Sequence, residues 1–298
     1  MNFRTDLALE RHESVPKSSI EGIELTVKEC DGIKVTHITV TNEKGEKAIG
    51  KKMGRYITAE LPGLDRCADN MEQWSKVLAD EIRSLIPKYG TVLVAGLGNR
   101  DITPDAIGPE CISHLLATRH IKGEAGMPES LSGLRSVAGL VPGVLGNTGI
   151  ETAEILKGVV SKIEPSAVIV IDALASRSLS RLGTTVQLCD TGVSPGSGVG
   201  NRRKEINSES LGVPVIAIGV PTVVDGITLA LDLIEECGVD LAEEKRRRIV
   251  QSEKGMMVTP KEIDLTVKRA ARLISLSVNR ALQSDMSASD ITAIVSTV

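Results

Sequence analysis

The chain has 298 residues, a net charge of −4 and a hydrophobic content of 41%, so it can bury a large core as one big domain or two unequal ones. The charge is small and the positive residues are scattered, which indicates no face for duplex nucleic acid. Aromatic residues make up 1% of the chain, so stacking platforms for single-stranded nucleic acid or sugars are not expected either.

Membrane, secretion and metal signals are also missing from the sequence. No segment reaches membrane-spanning length, and the charged N-terminus lacks the apolar run of a secretory signal. The five cysteines lie far apart without a C-x-x-C pair, which is typical of reduced thiols. The four histidines show no metal-ligand spacing. We therefore predict a cytoplasmic protein with no membrane contact, no metal and no cofactor.

The first part of the chain, from about residue 20 to 60, is predicted to be rich in β-structure. Residues alternate with period 2 from Ile33 to Val40, the pattern of a half-buried strand. Asn42 to Gly45 has the composition of a hairpin turn. Apolar residues from Met71 to Ile86 then recur at helical spacing, so a helix is predicted there.

From Thr91 onward the strands are apolar on both faces and alternate with helices. The strand segments are VLVAG, LRSVAGLVP, AVIVIDAL, TTVQLCD and VPVIAIGVP. The first predicted helices run from about Asp105 to Thr118 and from about Ile150 to Ile163. Further helices are predicted at about 225–235, 241–252 and 260–283.

This alternation predicts an α/β fold, with a mostly parallel twisted sheet and helices on both faces, plus the N-terminal β-rich portion. We expect an α/β core from about residue 70 to 298 and find no internal repeat or low-complexity linker.

The turn GLGN, from Gly96 to Asn99, has three interpretations. A dinucleotide site would need G-x-G-x-x-G, but Arg100 and Asp101 stand in the region where the third glycine is required. A P-loop would need a following Gly-Lys-Ser or Gly-Lys-Thr, which is absent. A tight turn between strand and helix remains, and a non-enzymatic module that binds nucleotide or phosphate is kept as an alternative function.

Two acids stand at the ends of two apolar strand segments. Asp105 is predicted to begin a helix, and Asp172 directly follows the strand from Ala167 to Ile171. Because open α/β sheets bind ligands beyond the carboxyl ends of their strands, we expect these acids to meet. Neighbouring carboxyls do not both ionise easily, so one keeps a proton while the other activates water. The alternative is that Asp105 only caps its helix and Asp172 only ends its strand.

Several motifs together are similar to one family. They are GLGNRDITPDAIGP, PGVLGNTGIETAEI, VIDALASRS, TGVSPGSGVGNRR, GVPVIAIGVPTVVD and MVTPKEID. The chain resembles the germination protease of spore-forming bacteria, an endopeptidase that degrades small acid-soluble spore proteins, over nearly its whole length. More distantly, G-x-G-N followed by an acid is similar to the hydrogenase-maturation proteases, whose α/β fold is therefore expected.

The resemblance implies an atypical aspartic-type peptidase whose essential aspartates match Asp105 and Asp172. It also implies a homotetrameric zymogen in the forespore and spore core, with small acid-soluble spore proteins as substrates. The segment from Arg4 to Glu10 is similar to the substrate sequence Thr-Glu-(Phe/Ile)-Ala-Ser-Glu, which is cut after its acid. We therefore predict self-cleavage between Asp6 and Leu7, with a short propeptide of residues 1–6 and a protease domain of residues 7–298.

Two loops offer backbone N–H groups for the oxyanion of such a reaction. The expected donors are Gly96, Gly98, Asn99, Gly196 and Gly198. Arg177, five residues beyond Asp172, is expected to recognise the acidic residue before the cut. A metal-assisted maturation peptidase, in which the acids bind a metal ion of the substrate protein, is the alternative within the peptidase class.

Overall fold

The computed structural model describes residues 4–15, 21–64, 70–121, 133–196, 198, 200, 203–251 and 255–296. The strands in these ranges are β1 (Ile23–Cys30), β2 (Ile33–Val40), β3 (Gly54–Glu60), β4 (Val92–Gly96), β5 (Val137–Leu140), β6 (Ala167–Ser176), β7 (Thr185–Cys189), β8 (Val215–Asp225) and β9 (Met257–Val258). The α-helices in these ranges are α1 (Ala8–Glu13), α2 (Glu43–Ile49), α3 (Met71–Leu85), α4 (Ile107–Ser113), α5 (Leu145–Thr148), α6 (Thr152–Ile163), α7 (Ser208–Leu211), α8 (Gly226–Glu236), α9 (Glu243–Gln251), α10 (Ile263–Leu282) and α11 (Ala288–Val295).

The described strands join into one sheet in the order β1-β2-β3-β7-β8-β6-β4-β5, with β9 beside β8. Strands β5, β4, β6 and β8 run parallel to one another, and β4 and β6 are buried along nearly their whole length. The N-terminal strands β1, β2 and β3 extend the same sheet in antiparallel fashion through β7. The predicted α/β class is confirmed, and the β-rich portion continues the sheet of the core.

Helices cover both faces of the sheet, because its central strands are apolar on both sides. Helices α3, α4 and α10 pack on one face, where they bury Val92 and Val94 of β4. Helices α1, α6 and α7 contribute to the apolar cluster on the other face, which contains Leu93 and Ala95. Within the part of the chain that the structure describes, no helix is both long and apolar enough to cross a membrane.

Two predicted local structures are wrong. The segment from Asn42 to Gly45 does not form a hairpin turn; Asn42 caps α2 by accepting from the N–H groups of Lys44 and Gly45. Asparagine and glycine favour turns and helix ends alike, so their composition did not separate the two. The helix predicted from about Asp105 to Thr118 extends instead from Ile107 to Ser113, after a short 3₁₀ turn from Thr103 to Asp105.

Candidate active site

Asp172 lies in the middle of β6, directly after the apolar residues from Ala167 to Ile171. Its side chain is 7% exposed, and its Oδ1 accepts from the N–H of Ala173 at 3.0 Å. The neighbouring strand β4 has ended by this point, and the N–H of Leu97 donates to the carbonyl of Ile171 at 2.8 Å. The turn after β4 is thereby attached to β6 one residue before Asp172.

Asp105 is held by the glycine turn that follows β4. The N–H of Asn99 donates to Asp105 Oδ2 at 2.8 Å and to the Asp105 carbonyl at 3.1 Å. Gly98 has a φ of +103°, and a Cβ there would stand 2.0 Å from the Asp105 carbonyl oxygen. The turn therefore needs glycine both for its backbone angle and for the close approach of Asp105.

The two acids line one cavity of about 600 Å³. Burial and, to a smaller extent, the nearby carboxyls of Asp105 and Asp6 together raise the pKa of Asp172 to about 8, against the opposing hydrogen bond from Ala173. Burial also raises the pKa of Asp105, although the N–H of Asn99 opposes this shift. At neutral pH the site therefore favours a proton on Asp172.

The chain's own N-terminal segment lies beside this pair. Asp6 lines the same cavity, and its N–H donates to the carbonyl of Ala175 at 2.8 Å. The N–H of Ala175 in turn donates to Asp6 Oδ2 at 2.9 Å. Asp6 is therefore bound to β6 three residues beyond Asp172, through both its backbone and its carboxylate.

Glu10, at the other end of this segment, is buried although it carries a carboxylate. Its Oε2 accepts from the N–H of Arg177 at 2.7 Å and from the Thr5 hydroxyl. Its Oε1 accepts from the N–H of Ser178 at 3.0 Å and forms an ion pair with Arg181 at 3.4 Å. No sequence pattern indicated this acid-binding subsite, because two of its donors are backbone N–H groups after β6, which any residue type supplies.

Four of the five expected oxyanion donors line the cavity, and the fifth does not. Gly98, Asn99, Gly196 and Gly198 line the cavity, whereas Gly96 is buried in β4 beneath it. The N–H of Asn99 already donates to Asp105. A Cβ on Gly198 would stand 2.1 Å from Asp6 Oδ2, so this glycine allows the Asp6 side chain to approach.

The side chain of Arg177 points away from the acid that it was expected to recognise. Its guanidinium donates to Asp232 and Glu235 of α8, each at 2.7 Å, and does not line the cavity. Its backbone N–H contacts Glu10 instead. Among the described residues, no group of three histidine, cysteine or acidic side chains is arranged to hold a metal ion.

These features define an α/β protein with one buried and one half-buried carboxyl beside a bound stretch of polypeptide, an arrangement suited to an enzyme that acts on peptides. The sequence model of the family described as germination protease matches residues 4–251. The chain therefore belongs to the germination protease family and is a peptidase, which confirms the resemblance inferred from the motifs.

Several curated relatives carry the name germination protease. The protein from Caldanaerobacter subterraneus subsp. tengcongensis is 49% identical, over 95% of this chain and 95% of its own length. A Clostridium perfringens relative is 44% identical over 97% and 98%, and a Priestia megaterium relative is 38% identical over 96% and 95%. A solved hydrogenase maturation protease from Thermococcus kodakarensis is 15% identical, with a TM-score of 0.36 over 66% of this chain and 98% of its own.

Proposed function

We propose that the chain is an atypical aspartic-type endopeptidase, with Asp105 and Asp172 as its catalytic pair and small acid-soluble spore proteins as its substrates. We further propose that it is made as a zymogen that cuts its own Asp6–Leu7 bond. One observation carries both proposals: Asp6 lines the cavity that contains Asp105 and Asp172, and it is hydrogen-bonded to the strand that bears Asp172.

The chemistry follows from the unequal environments of the two acids. Asp172 keeps its proton at neutral pH because its pKa is raised to about 8, and it serves as the acid. Asp105 is the base that removes a proton from the attacking water. In the second half of the reaction, Asp172 gives its proton to the leaving nitrogen.

The groove around residues 5–10 supports the choice of substrate. Thr5, Asp6 and Glu10 each have hydrogen-bond partners in the rest of the protein. Their order along the chain is similar to the threonine and acids of the spore-protein sequence named above. A spore protein would occupy this groove with its own threonine and acids, once residues 1–6 have been removed and residues 7–10 have left the groove.

The test is incubation of the purified protein with an acid-soluble spore protein, followed by mass spectrometry of both chains. We expect cuts after an acidic residue in the substrate and between Asp6 and Leu7 in the enzyme. Asp105→Asn and Asp172→Asn should each abolish both cuts, while Asp101→Asn, at an exposed acid four residues from Asp105, should leave them unchanged.

Other outcomes would favour the alternatives. Loss of activity with chelators, restored by a divalent metal, would favour a metal-assisted peptidase. Saturable nucleotide binding without any cleavage would favour a binding module.

The proposal also includes the oligomeric state and the cellular location of the protein. We propose a homotetramer in the forespore and spore core, without a membrane or nucleic-acid partner. Light scattering coupled to size exclusion of the uncut protein would measure its mass, and a mass of one chain would contradict the tetramer. Fractionation of spores would test the location.

A further inference from the structure

Two side-chain donors converge on one carbonyl oxygen, that of Asp6 in the Asp6–Leu7 peptide bond. Lys51 Nζ lies 2.7 Å from this oxygen, and Gln187 Nε2 lies 3.1 Å from it. The Oε1 of the same Gln187 accepts from the N–H of Ala8 at 2.6 Å. Side chains from two distant parts of the chain thus hold the main chain on both sides of Leu7.

One donor lies within the sheet, and the other directly follows the cap of a helix. Lys51 lies in the short loop between α2 and β3, directly after Gly50, which caps α2 in the left-handed conformation with φ of 64°. Gln187 is buried in the centre of β7, where it pairs with Thr58 of β3 and Gly219 of β8. Gln187 is therefore fixed within the sheet, and Lys51 is attached directly to the capped end of α2.

Asp6 lies where two cavities meet. A smaller cavity of about 330 Å³ is lined by Lys51 and Gln187, and the cavity of about 600 Å³ contains Asp105. Asp6 and Asp172 line both cavities. The carbonyl oxygen of Asp6 accepts from donors of the smaller cavity, while the acid pair opens to the larger one.

We propose that Lys51 and Gln187 form the oxyanion-binding site of this peptidase, and that Lys51 is a catalytic residue. The proposal rests on the proposed function, since it takes Asp6–Leu7 as a scissile bond. It replaces the glycine N–H groups that were expected to stabilise the oxyanion. In a spore protein, the same two donors would bind the carbonyl of the acidic residue before the cut.

The reaction then balances as an ordinary hydrolysis. The oxygen of water bonds to the carbonyl carbon of Asp6, one water proton passes to Asp105, and the carbonyl π electrons move to the oxygen held by Lys51 and Gln187. The carbonyl re-forms as the bond to the Leu7 nitrogen breaks, and this nitrogen takes the proton of Asp172. The products are a carboxyl group on Asp6 and an amino group on Leu7.

Stabilisation by Lys51 grows as the reaction proceeds. Burial lowers the pKa of Lys51 below its ordinary value, although the Asp6 carboxylate opposes this. A full negative charge on the carbonyl oxygen favours the protonated amine more than a neutral carbonyl does. The contact is therefore stronger in the transition state than in the bound state, which is the condition for raising the rate.

The experiment follows self-cleavage of the full-length chain by mass spectrometry, as a first-order rate that needs no substrate binding step. Lys51→Met should lower this rate by roughly 10²–10³-fold, the usual effect of losing one oxyanion donor. Lys51→Arg keeps a positive donor and should be less impaired. Lys47→Met, which removes an exposed lysine from nearby α2, is the matched control and should cleave at the unsubstituted rate.

Hydrogen exchange at the Ala8 amide separates catalysis from simple anchoring. We expect this amide to stay protected in Lys51→Met, because its partner Gln187 is unchanged. An unaltered rate in Lys51→Met, or a lower rate together with lost protection, would overturn the proposal. If Asp105→Asn and Asp172→Asn cleave normally while Lys51→Met does not, the acid pair fails and Lys51 stands. If the unsubstituted chain is never cut at Asp6–Leu7, both proposals fail.

Discussion

At the scale of single residues, Asp172 is an acid that the folded protein holds more easily with its proton than without it. Its pKa is raised from 3.8 to about 8 by burial and by neighbouring carboxyls. In the unfolded chain the group ionises near its ordinary value. Asp172 therefore costs no stability below about pH 4. Its cost grows between about pH 4 and pH 8 and stays constant above the folded-state pKa.

Asp172→Asn should remove this cost, because asparagine stays neutral. We expect the melting temperature of the variant, relative to that of the unsubstituted protein, to rise steadily from pH 4 to pH 8. Each kcal/mol regained corresponds to roughly 2–4 °C in a protein of this size. Calorimetry across this pH range measures the difference in melting temperature, with Asp101→Asn as the control. A constant difference between the melting temperatures would contradict the raised pKa.

The same pKa shifts set the pH dependence of cleavage. The proposed chemistry needs Asp105 ionised and Asp172 protonated, so the rate should fall above about pH 8 as Asp172 loses its proton. It should also fall in acid as Asp105 is protonated, at a pH above its ordinary pKa because burial raises that pKa. Self-cleavage rates measured from pH 3 to 10 should form a bell, and a rate still rising at pH 10 would be incompatible with this pair.

Gly98 is the residue on which the position of Asp105 depends most directly. Gly98→Ala adds a Cβ that would stand 2.0 Å from the Asp105 carbonyl oxygen, so Asp105 must shift. A misplacement of about 1 Å lowers rates by roughly 10²-fold. Gly212→Ala is the matched control, since Gly212 also has positive φ but has no atom within 4 Å of its added Cβ. Equal self-cleavage rates for the two variants would argue against this role.

The sequence indicated Asp172 as a candidate site residue but gave no indication of Lys51, and the reason is physical. An acid that directly follows a continuous run of apolar residues interrupts a local pattern, and that pattern is visible in the adjoining residues of the sequence. Lys51 lies 45 residues from Asp6 and Gln187 lies 181 residues from it. Only the folded sheet brings them together, and no spacing rule covers such distances.

At the scale of elements, α1 is bound by its acidic side chains as well as by its apolar face. Glu10 accepts from two backbone N–H groups after β6, whereas Glu13 is half-exposed and pairs with the side chain of Arg181. Buried charged groups with several donors contribute far more than exposed ion pairs. The N-terminal segment should therefore depend on Glu10 and hardly on Glu13.

Glu10→Gln should loosen this segment and slow self-cleavage, because the amide loses charge and offers only one acceptor oxygen. Hydrogen bonds to a charged group contribute about 1.5–3 kcal/mol each, so we expect a loss of at least 1 kcal/mol in the protection of residues 7–9. Glu13→Gln is the control on the same helix and should change protection by less than about 1 kcal/mol. Hydrogen exchange measures both, and similar losses in the two variants would contradict the subsite.

At the scale of the whole molecule, the apolar pattern was sufficient for the α/β class and for the long elements. Helix α3, predicted from Met71 to Ile86, extends from Met71 to Leu85, and the apolar segment AVIVIDAL is the first part of β6. The antiparallel continuation of the sheet through β7 was not predictable, because β7 pairs with β3 across a long stretch of chain. Local periodicity identifies strands but does not specify their partners.

Leu7 has no exposed surface in the uncut chain, and its N–H donates to the Thr5 hydroxyl at 3.0 Å. If the Asp6–Leu7 bond is cut as proposed, an amino group and a carboxylate appear where a neutral amide had been. A buried charge costs several kcal/mol, so the new ends are driven toward water. The cut would thus weaken the binding of the chain's own N-terminal segment in the groove. Self-cleavage would itself make the groove accessible to a substrate.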